Sequence, residues 1–220
     1  MKSIQYLLHQ QINKKKWDDC INNAANGLLY AASTYLDGMA IQWDALVLND
    51  YEIVMPLPCR KKYGINYLFQ PSITPALGVI GNGITAEIIT AFLHAIPNKF
   101  KVWDISFNRS NKILFTNATV IARNNYVLNL NNSYNQLKQN YSENINRNIA
   151  KAIKSNCVVK KNISFEEVAA ICKIEFPKFT NVENGLFEKL YEVYKACKNI
   201  AETYGVFTKK YRKQAKFHLL

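Results

Sequence analysis

Histidine is scarce in this chain, with three in 220 residues, and its five cysteines include no Cys-x-x-Cys pair. Zinc ligation of the familiar kinds is therefore not expected, because those sites draw closely spaced Cys and His ligands. Cys20, Cys59, Cys157, Cys172 and Cys197 are odd in number and scattered. Such a set reads as reduced, partly buried thiols, not a disulfide framework, and this suits a cytosolic protein. No run approaches the roughly 18 to 20 apolar residues needed to span a membrane. The apolar stretch at 4–8 is too short for a signal-peptide core and is followed by polar residues. The expectation is a soluble, cytoplasmic protein without a transmembrane segment.

Acid–base machinery is equally thin. No Ser-His-Asp order, nucleophile elbow or paired-carboxylate motif occurs. His9 and His94 read as packed residues on apolar elements, and His218 sits three residues from the end. Asp37, Asp44, Asp50, Asp104 and Glu87 have no partner visible in sequence. No catalytic residue is assigned from them, and no metal is expected.

What is present is a core. The chain is 49% hydrophobic and 12% aromatic, which excludes a disordered polypeptide. Lys and Arg outnumber Asp and Glu by 28 to 16, for a net charge of +12. This balance favours polyanionic partners such as RNA, nucleotides, phosphorylated precursors or an anionic membrane surface. Asparagine is unusually abundant, and composition alone offers no structural reason for it.

The residue pattern predicts strands at 4–8, 28–31, 43–48, 51–57, 65–69 and 100–107. A helix around Trp17 and Ile21 is expected to stop near Gly27, and a second is expected from Ser33 to Met39. Asn49-Asp50 marks a hairpin turn. The three- and four-residue spacing of Ile84, Ile88, Ile89, Phe92 and Ile96 predicts an amphipathic helix closed by Pro97. Two further strands are expected at 113–121 and 126–130 around Asn124-Asn125. From about 131 the period changes. Leu137, Tyr141, Ile145, Ile149 and Ile153 predict one long helix with Arg147, Lys151 and Lys154 on its polar side. A short strand is expected at 157–159, and Ser164 with Glu167 forms a capping-box signature. Another helix is expected from Phe187 to Tyr204, stopping at Gly205, followed by a strand at 206–208 and a basic tail. The fold class read from this is α/β, with a mixed, mostly antiparallel sheet flanked by helices over 1–130. A helix-rich segment with almost no strand would follow over 131–220.

Two basic stretches are candidate binding sites. Arg60, Lys61, Lys62 and Tyr63, beside Gly64, could meet phosphates through side chains and turn amides; the bland reading is a solvated hairpin tip. Arg147 and Lys151 share a helix face and could line a groove for a phosphorylated substrate or a tRNA acceptor arm, or could simply face solvent. The glycines of 78–83 precede a helix but lack the spacing of either nucleotide fingerprint.

Several segments resemble the FemABX peptidoglycan-bridge aminoacyltransferases and the FemAB-like members of the GNAT superfamily. They are 27–37 (GLLYAASTYLD), 43–48, 54–60 (VMPLPCR), 67–71 (YLFQP) and, above all, 141–152 (YSENINRNIAKA). The resemblance implies two GNAT-like domains with a substrate groove between them, and transfer of an acyl or aminoacyl group to an amine. It implies acyl-CoA or aminoacyl-tRNA as donor, with no tightly bound cofactor. It places Asn146, Arg147, Asn148 and Lys151 in the family's helix motif, and Arg60 to Tyr63 on a first-domain strand connection. On this reading 1–130 is a GNAT-like domain, and 131–220 is the start of a truncated second one lacking its sheet. A chain so cut would lack much of the active cleft and could pair with a second copy through that surface. The alternative is a non-catalytic module holding a phosphorylated precursor or RNA on its basic face; DNA is not among the expected partners.

Overall fold

The computed structural model describes residues 3–114, 118–175, 185–198 and 201–207, with 214–219 as backbone. The chain is α/β, with a mostly antiparallel mixed sheet flanked by helices. It divides into two compact units, Met1–Ala122 with Glu188–Val193, and Arg123–Phe187 with Tyr194–Leu220. The division falls at 122/123, eight residues before the change of pattern near 130.

In the first unit β1 (Ile4–Leu7) leads to α1 (Lys14–Asn23) and α2 (Ser33–Met39). Three strands follow, β2 (Trp43–Leu48), β3 (Ile53–Lys62) and β4 (Ile65–Phe69). Next come a two-residue strand β5 (Ile80–Gly81), the helix α3 (Ala86–His94) and β6 (Phe100–Asp104). The sheet order is β1-β2-β3-β4-β6, with β5 paired to β3. All pairs are antiparallel except β4–β6, which α3 connects as a parallel crossover.

Alternation along β2 and β3 sends side chains to two different cores. Leu46, Leu48, Met55 and Leu57 meet Ile89, Phe92 and Leu93 of α3 on one face. Ala45, Val47 and Val54 meet Trp17 and Ile21 of α1 and Leu36 of α2 on the other. A sheet covered on both faces explains why every residue of β2 is buried. Each fully buried side chain of this size contributes about 1.5–3 kcal/mol. Trp17 also satisfies its ring N–H, which donates to the carbonyl of Ala31 at 2.8 Å.

Several local expectations are revised here. Residues 28–31 are not a strand; Leu29–Ala31 form a short 3-10 turn. The basic stretch at 59–63 is not a loop, since β3 runs on to Lys62. Only Tyr63 and Gly64 make the turn, with φ of 50° and 81°. Two successive positive φ values are those of a tight primed hairpin, in which glycine is at ease and tyrosine is not. No strand forms among the described residues of 113–121 or at 126–130.

The loop before α3 is held by asparagine side chains acting as substitute backbone. Asn111 accepts from the Val79 amide at 2.8 Å and donates to its carbonyl at 2.9 Å. Asn26 donates to the same carbonyl and accepts from Gly81 N–H at 3.1 Å. Asn108 donates to the carbonyl of Leu77 at 2.9 Å, and Asn82 bonds both Ala25 and Asn23. Gly78, at φ 96°, has no room for a Cβ, which would lie 2.3 Å from the Asn111 amide oxygen. Part of the asparagine excess thus lashes a buried segment that lacks a full ladder.

In the second unit α4 (Tyr134–Gln139) and α5 (Glu143–Lys154) replace the single long helix expected. Ser142 breaks it. Its hydroxyl caps the amide of Ile145, and an N-cap residue takes extended, not helical, dihedrals. A three-stranded antiparallel sheet follows, β7 (Val158–Lys161), β8 (Ala201–Phe207) and β9 (Gln214–Leu219), in that order. The expectation of a nearly strandless segment is therefore corrected. The last expected helix ends at Ala196 as α7 (Leu186–Ala196), while Tyr204 and Gly205 lie in β8 and part of the basic tail is β9. Thr203, Tyr204, Val206 and Phe207 favour a pleated strand over a helix. The capping signature holds, with α6 (Phe165–Glu175) entered through Ser164 accepting from Glu167 N–H. Val168 and Cys172 of α6 pack with Ile163 and Phe187 in this unit's core. Among the described residues, no helix is long and apolar enough to cross a membrane.

Candidate functional site

Two of the carboxylates that sequence left unpartnered, Asp37 and Asp44, come together at one end of the first unit's sheet. In the β1–β2 register Tyr6 lies opposite Leu46, so Tyr6 and Asp44 share a face two positions apart. The Tyr6 hydroxyl donates to Oδ2 of Asp44, and the His9 backbone N–H donates to Oδ1 at 3.1 Å. Lys99, in the connection from α3 to β6, places Nζ 3.5 Å from Oδ2. Its ammonium also lies 4.9 Å from the Tyr6 ring centroid. Asp44 is fully buried, so these three donors are what permit a carboxylate there. Burial, then the hydrogen bond and charge of Asp44, push the Tyr6 phenol well above its ordinary range. Burial and then the same charge push the Cys59 thiol up to about 11.

Beside Asp44 opens a cavity of about 410 Å³, bounded by His9, Asp37, Gln42 and Trp43 among others. Asp37 is held by two donors, with His9 alongside. The Trp43 ring N–H donates to Oδ1 at 2.9 Å, Lys14 pairs with Oδ2, and His9 Nε2 lies 3.6 Å from Oδ1. His9 stands edge-on to Trp43 with ring centroids 5.2 Å apart. Its Nδ1 is buried and has no hydrogen-bond partner among the described residues. The tautomer protonated at Nε2 directs its proton at Asp37; the other would bury an unsatisfied donor and face a lone pair at the carboxylate. The basic nitrogen of that tautomer is sealed, so His9 is placed to orient, not to relay protons. The chemistry the cavity can offer is carboxylate oxygen to a cation or hydrogen-bond donor, since the Asp37 side chain is 34% exposed. Among the described residues no group of three or more His, Cys, Asp or Glu side chains gathers to hold a metal ion.

The residues singled out from sequence fall into two sets. Arg60, Lys61, Lys62 and Tyr63 gather at the β3–β4 hairpin of the first unit. Arg60 lies over the Phe69 ring at 4.0 Å, and Lys62 lies 5.3 Å from the ring of Tyr63, itself 91% exposed. Asn146, Arg147 and Lys151 lie on α5 of the second unit, all exposed. Asn146 donates to the Tyr141 carbonyl at 3.2 Å and Arg147 to Asn144 at 2.8 Å, so both serve the helix entry. The loop at 78–83 is no anion cradle. Its Val79 and Ile80 are fully buried, and α3 opens with Glu87 in its first turn.

Sequence reasoning missed the Tyr6–Asp44–Lys99 cluster. One signal was available, because Asp44 interrupts an otherwise apolar six-residue strand, and a charge there demands partners.

One more feature lies at the sheet's far side. The β4–β6 register steps from Asn66↔Phe100 to Tyr67↔Val102, so Lys101 is an extra residue in β6. An inserted residue interrupts the ladder and leaves backbone groups there unpaired with the neighbouring strand.

Comparisons with family models, curated proteins and solved structures return no match.

Proposed function

We propose that the chain is an acyltransferase of the GNAT-like, FemAB-like class that moves an acyl or aminoacyl group onto an amine. The observation that carries this reading is the interrupted parallel pair β4–β6, formed after strand, two helices, three antiparallel strands and a crossover helix. Unpaired amides in such a gap are suited to hold a carbonyl oxygen as it becomes an oxyanion, with catalysis by alignment. Acyl-CoA and aminoacyl-tRNA are the candidate donors, and the Arg60–Lys61–Lys62 hairpin offers charge to the phosphates of either. The test is incubation of the full chain with radiolabelled acyl-CoA or aminoacyl-tRNA and a panel of primary amines. Label appearing in the amine product supports the reading, and no transfer from either donor by a folded sample refutes it.

A second reading is favoured by the exposed cations Lys61, Lys62, Arg147 and Lys151. In it the chain is a non-catalytic module that holds a phosphorylated precursor or RNA. Its mark is binding that falls steeply with salt and shows no turnover.

A further inference from the structure

We infer that one face of the β3–β4 hairpin is a stacking platform for single-stranded RNA, with bases on the rings of Tyr63 and Tyr67 and phosphates on Arg60 and Lys62. The inference rests on the RNA reading above and deepens it, naming the kind of RNA and the face that takes it.

Register builds the face. Residues two apart on a strand share a face, so Arg60 and Lys62 continue the row of Val54, which packs in the core beneath α1 and α2. Burial along β3 ends at Cys59; Arg60 is half-buried and Lys62 exposed. On β4 the partners of Lys62 and Arg60 are Ile65 and Tyr67, and Phe69 follows in the same row. Ile65 is 49% exposed, and Tyr67 and Phe69 are half-buried. The buried core stops short of this end of the hairpin, where cations and rings stand side by side.

The side chains are arranged for stacking. The Arg60 guanidinium lies 4.0 Å over the Phe69 ring, and the Tyr67 and Phe69 rings stand at 83° with centroids 6.4 Å apart. Arg60 is thereby held within the face, its charge beside Tyr67. Tyr63 occupies the turn at φ 50° and is 91% exposed, with the Lys62 ammonium 5.3 Å from its ring. Such a turn position suits Asn or Gly. Tyrosine there costs backbone energy that a ring left in solvent does not recover by packing.

Bases stack on aromatic rings and guanidinium groups whatever their sequence, and the backbone follows positive charge. Tyr67 lies two residues, about 6.8 Å, in from Ile65, and Tyr63 stands beyond Ile65 in the turn. Nucleotides of a duplex strand advance only about 3.4 Å each. Rings this far apart therefore receive bases splayed out of a single strand. Asp104, opposite Phe69 in β6, marks the inner end of the track with a carboxylate that repels phosphate. An anionic membrane would favour cations rimming one continuous apolar surface; here the cations sit against the rings themselves.

Fluorescence anisotropy of labelled oligouridylate with the full chain tests this. Binding is expected, and Tyr63→Ala and Tyr67→Ala are each expected to weaken it by about fivefold or more. Tyr67→Phe, which keeps a ring, should retain it. Tyr63→Ala touches neither core, so it separates lost stacking from lost folding. Parent-like binding by both alanine variants overturns the inference and leaves the RNA reading standing. A folded parent that binds no oligouridylate, or binds phosphatidylserine vesicles instead, overturns the inference and the RNA reading together. As a second measurement, ultraviolet crosslinking to oligouridylate with peptide mass mapping should place adducts within 59–69. Adducts on other peptides alone overturn the inference.

Discussion

The phenol of Tyr6 donates to the carboxylate of Asp44, two groups separated by 38 positions in sequence and joined by the β1–β2 register. Tyr6→Phe leaves Asp44 with the His9 amide and Lys99 and should cost about 1.5–3 kcal/mol, as for a hydrogen bond to a charged group. Asp44→Ala leaves Tyr6 and the His9 amide without an acceptor and should cost at least as much. Chemical unfolding of the single and double variants should give a coupling energy within about 0.5–3 kcal/mol. Strict additivity would mean that the two side chains do not interact.

Asn111 is predicted to matter more than its place in a loop implies. Its side chain accepts from the amide of Val79, a residue with no exposure, and shares the Val79 carbonyl with Asn26. Asn111→Ala should destabilise the first unit by about 1–3 kcal/mol, the cost of leaving the buried Val79 amide without its acceptor. The midpoint of urea unfolding measures it, and an unchanged midpoint would rule out the clamp.

Cys59 should be inert to thiol reagents at pH 8 while the protein is folded, because burial and the Asp44 charge push its thiol up to about 11. The ordinary thiol ionises near 9.0. As pH rises from there towards 11, the unfolded chain releases a proton that the folded one retains, so stability falls through this window. Peptide-mapped labelling with iodoacetamide, with and without denaturant, reports the first effect. A Cys59→Ser variant should lessen the second without abolishing it, since burial pushes the Cys20 thiol up to about 11 as well.

In the second unit, the Lys161 ammonium and then the Tyr204 hydroxyl hold the Glu202 carboxyl below its ordinary range. A depressed carboxyl contributes stability above its unfolded value of about 4.5, lost as pH falls through the folded one. Lys161 is solvent-exposed and Glu202 partly so, and the effect is small and screened by salt. Thermal unfolding of Glu202→Gln should therefore differ from the parent at neutral pH and low salt. The difference should vanish in acid or at high ionic strength. A gap that persists at pH 3 would point to packing instead of charge.

How much of this was legible in sequence follows from the range of the forces involved. The hairpin at Asn49-Asp50 and the helix of Ile84 to Ile96 were readable because turn chemistry and amphipathic spacing are local. Ser142 was not recognised as a helix entry, because the apolar stripe from Leu137 to Ile153 runs unbroken across it. The strand character of Ala201–Phe207 was masked by a helical spacing that continued by chance from Phe187 to Tyr204. Tertiary pairing with β7 and β9 decides it. The Tyr6–Asp44–Lys99 cluster is assembled by sheet register and a loop, neither of which a single sequence reports.

We propose that the gap between β4 and β6 holds the carbonyl for transfer to an amine. Deleting Lys101 removes the inserted residue and restores a regular ladder while leaving both cores untouched. Single-turnover transfer of labelled acyl group to an amine should be lost in this variant, by about 100-fold or more as for removal of an oxyanion donor, with cooperative unfolding retained. Undiminished transfer by a folded Lys101 deletion would exclude the β4–β6 gap as the carbonyl site.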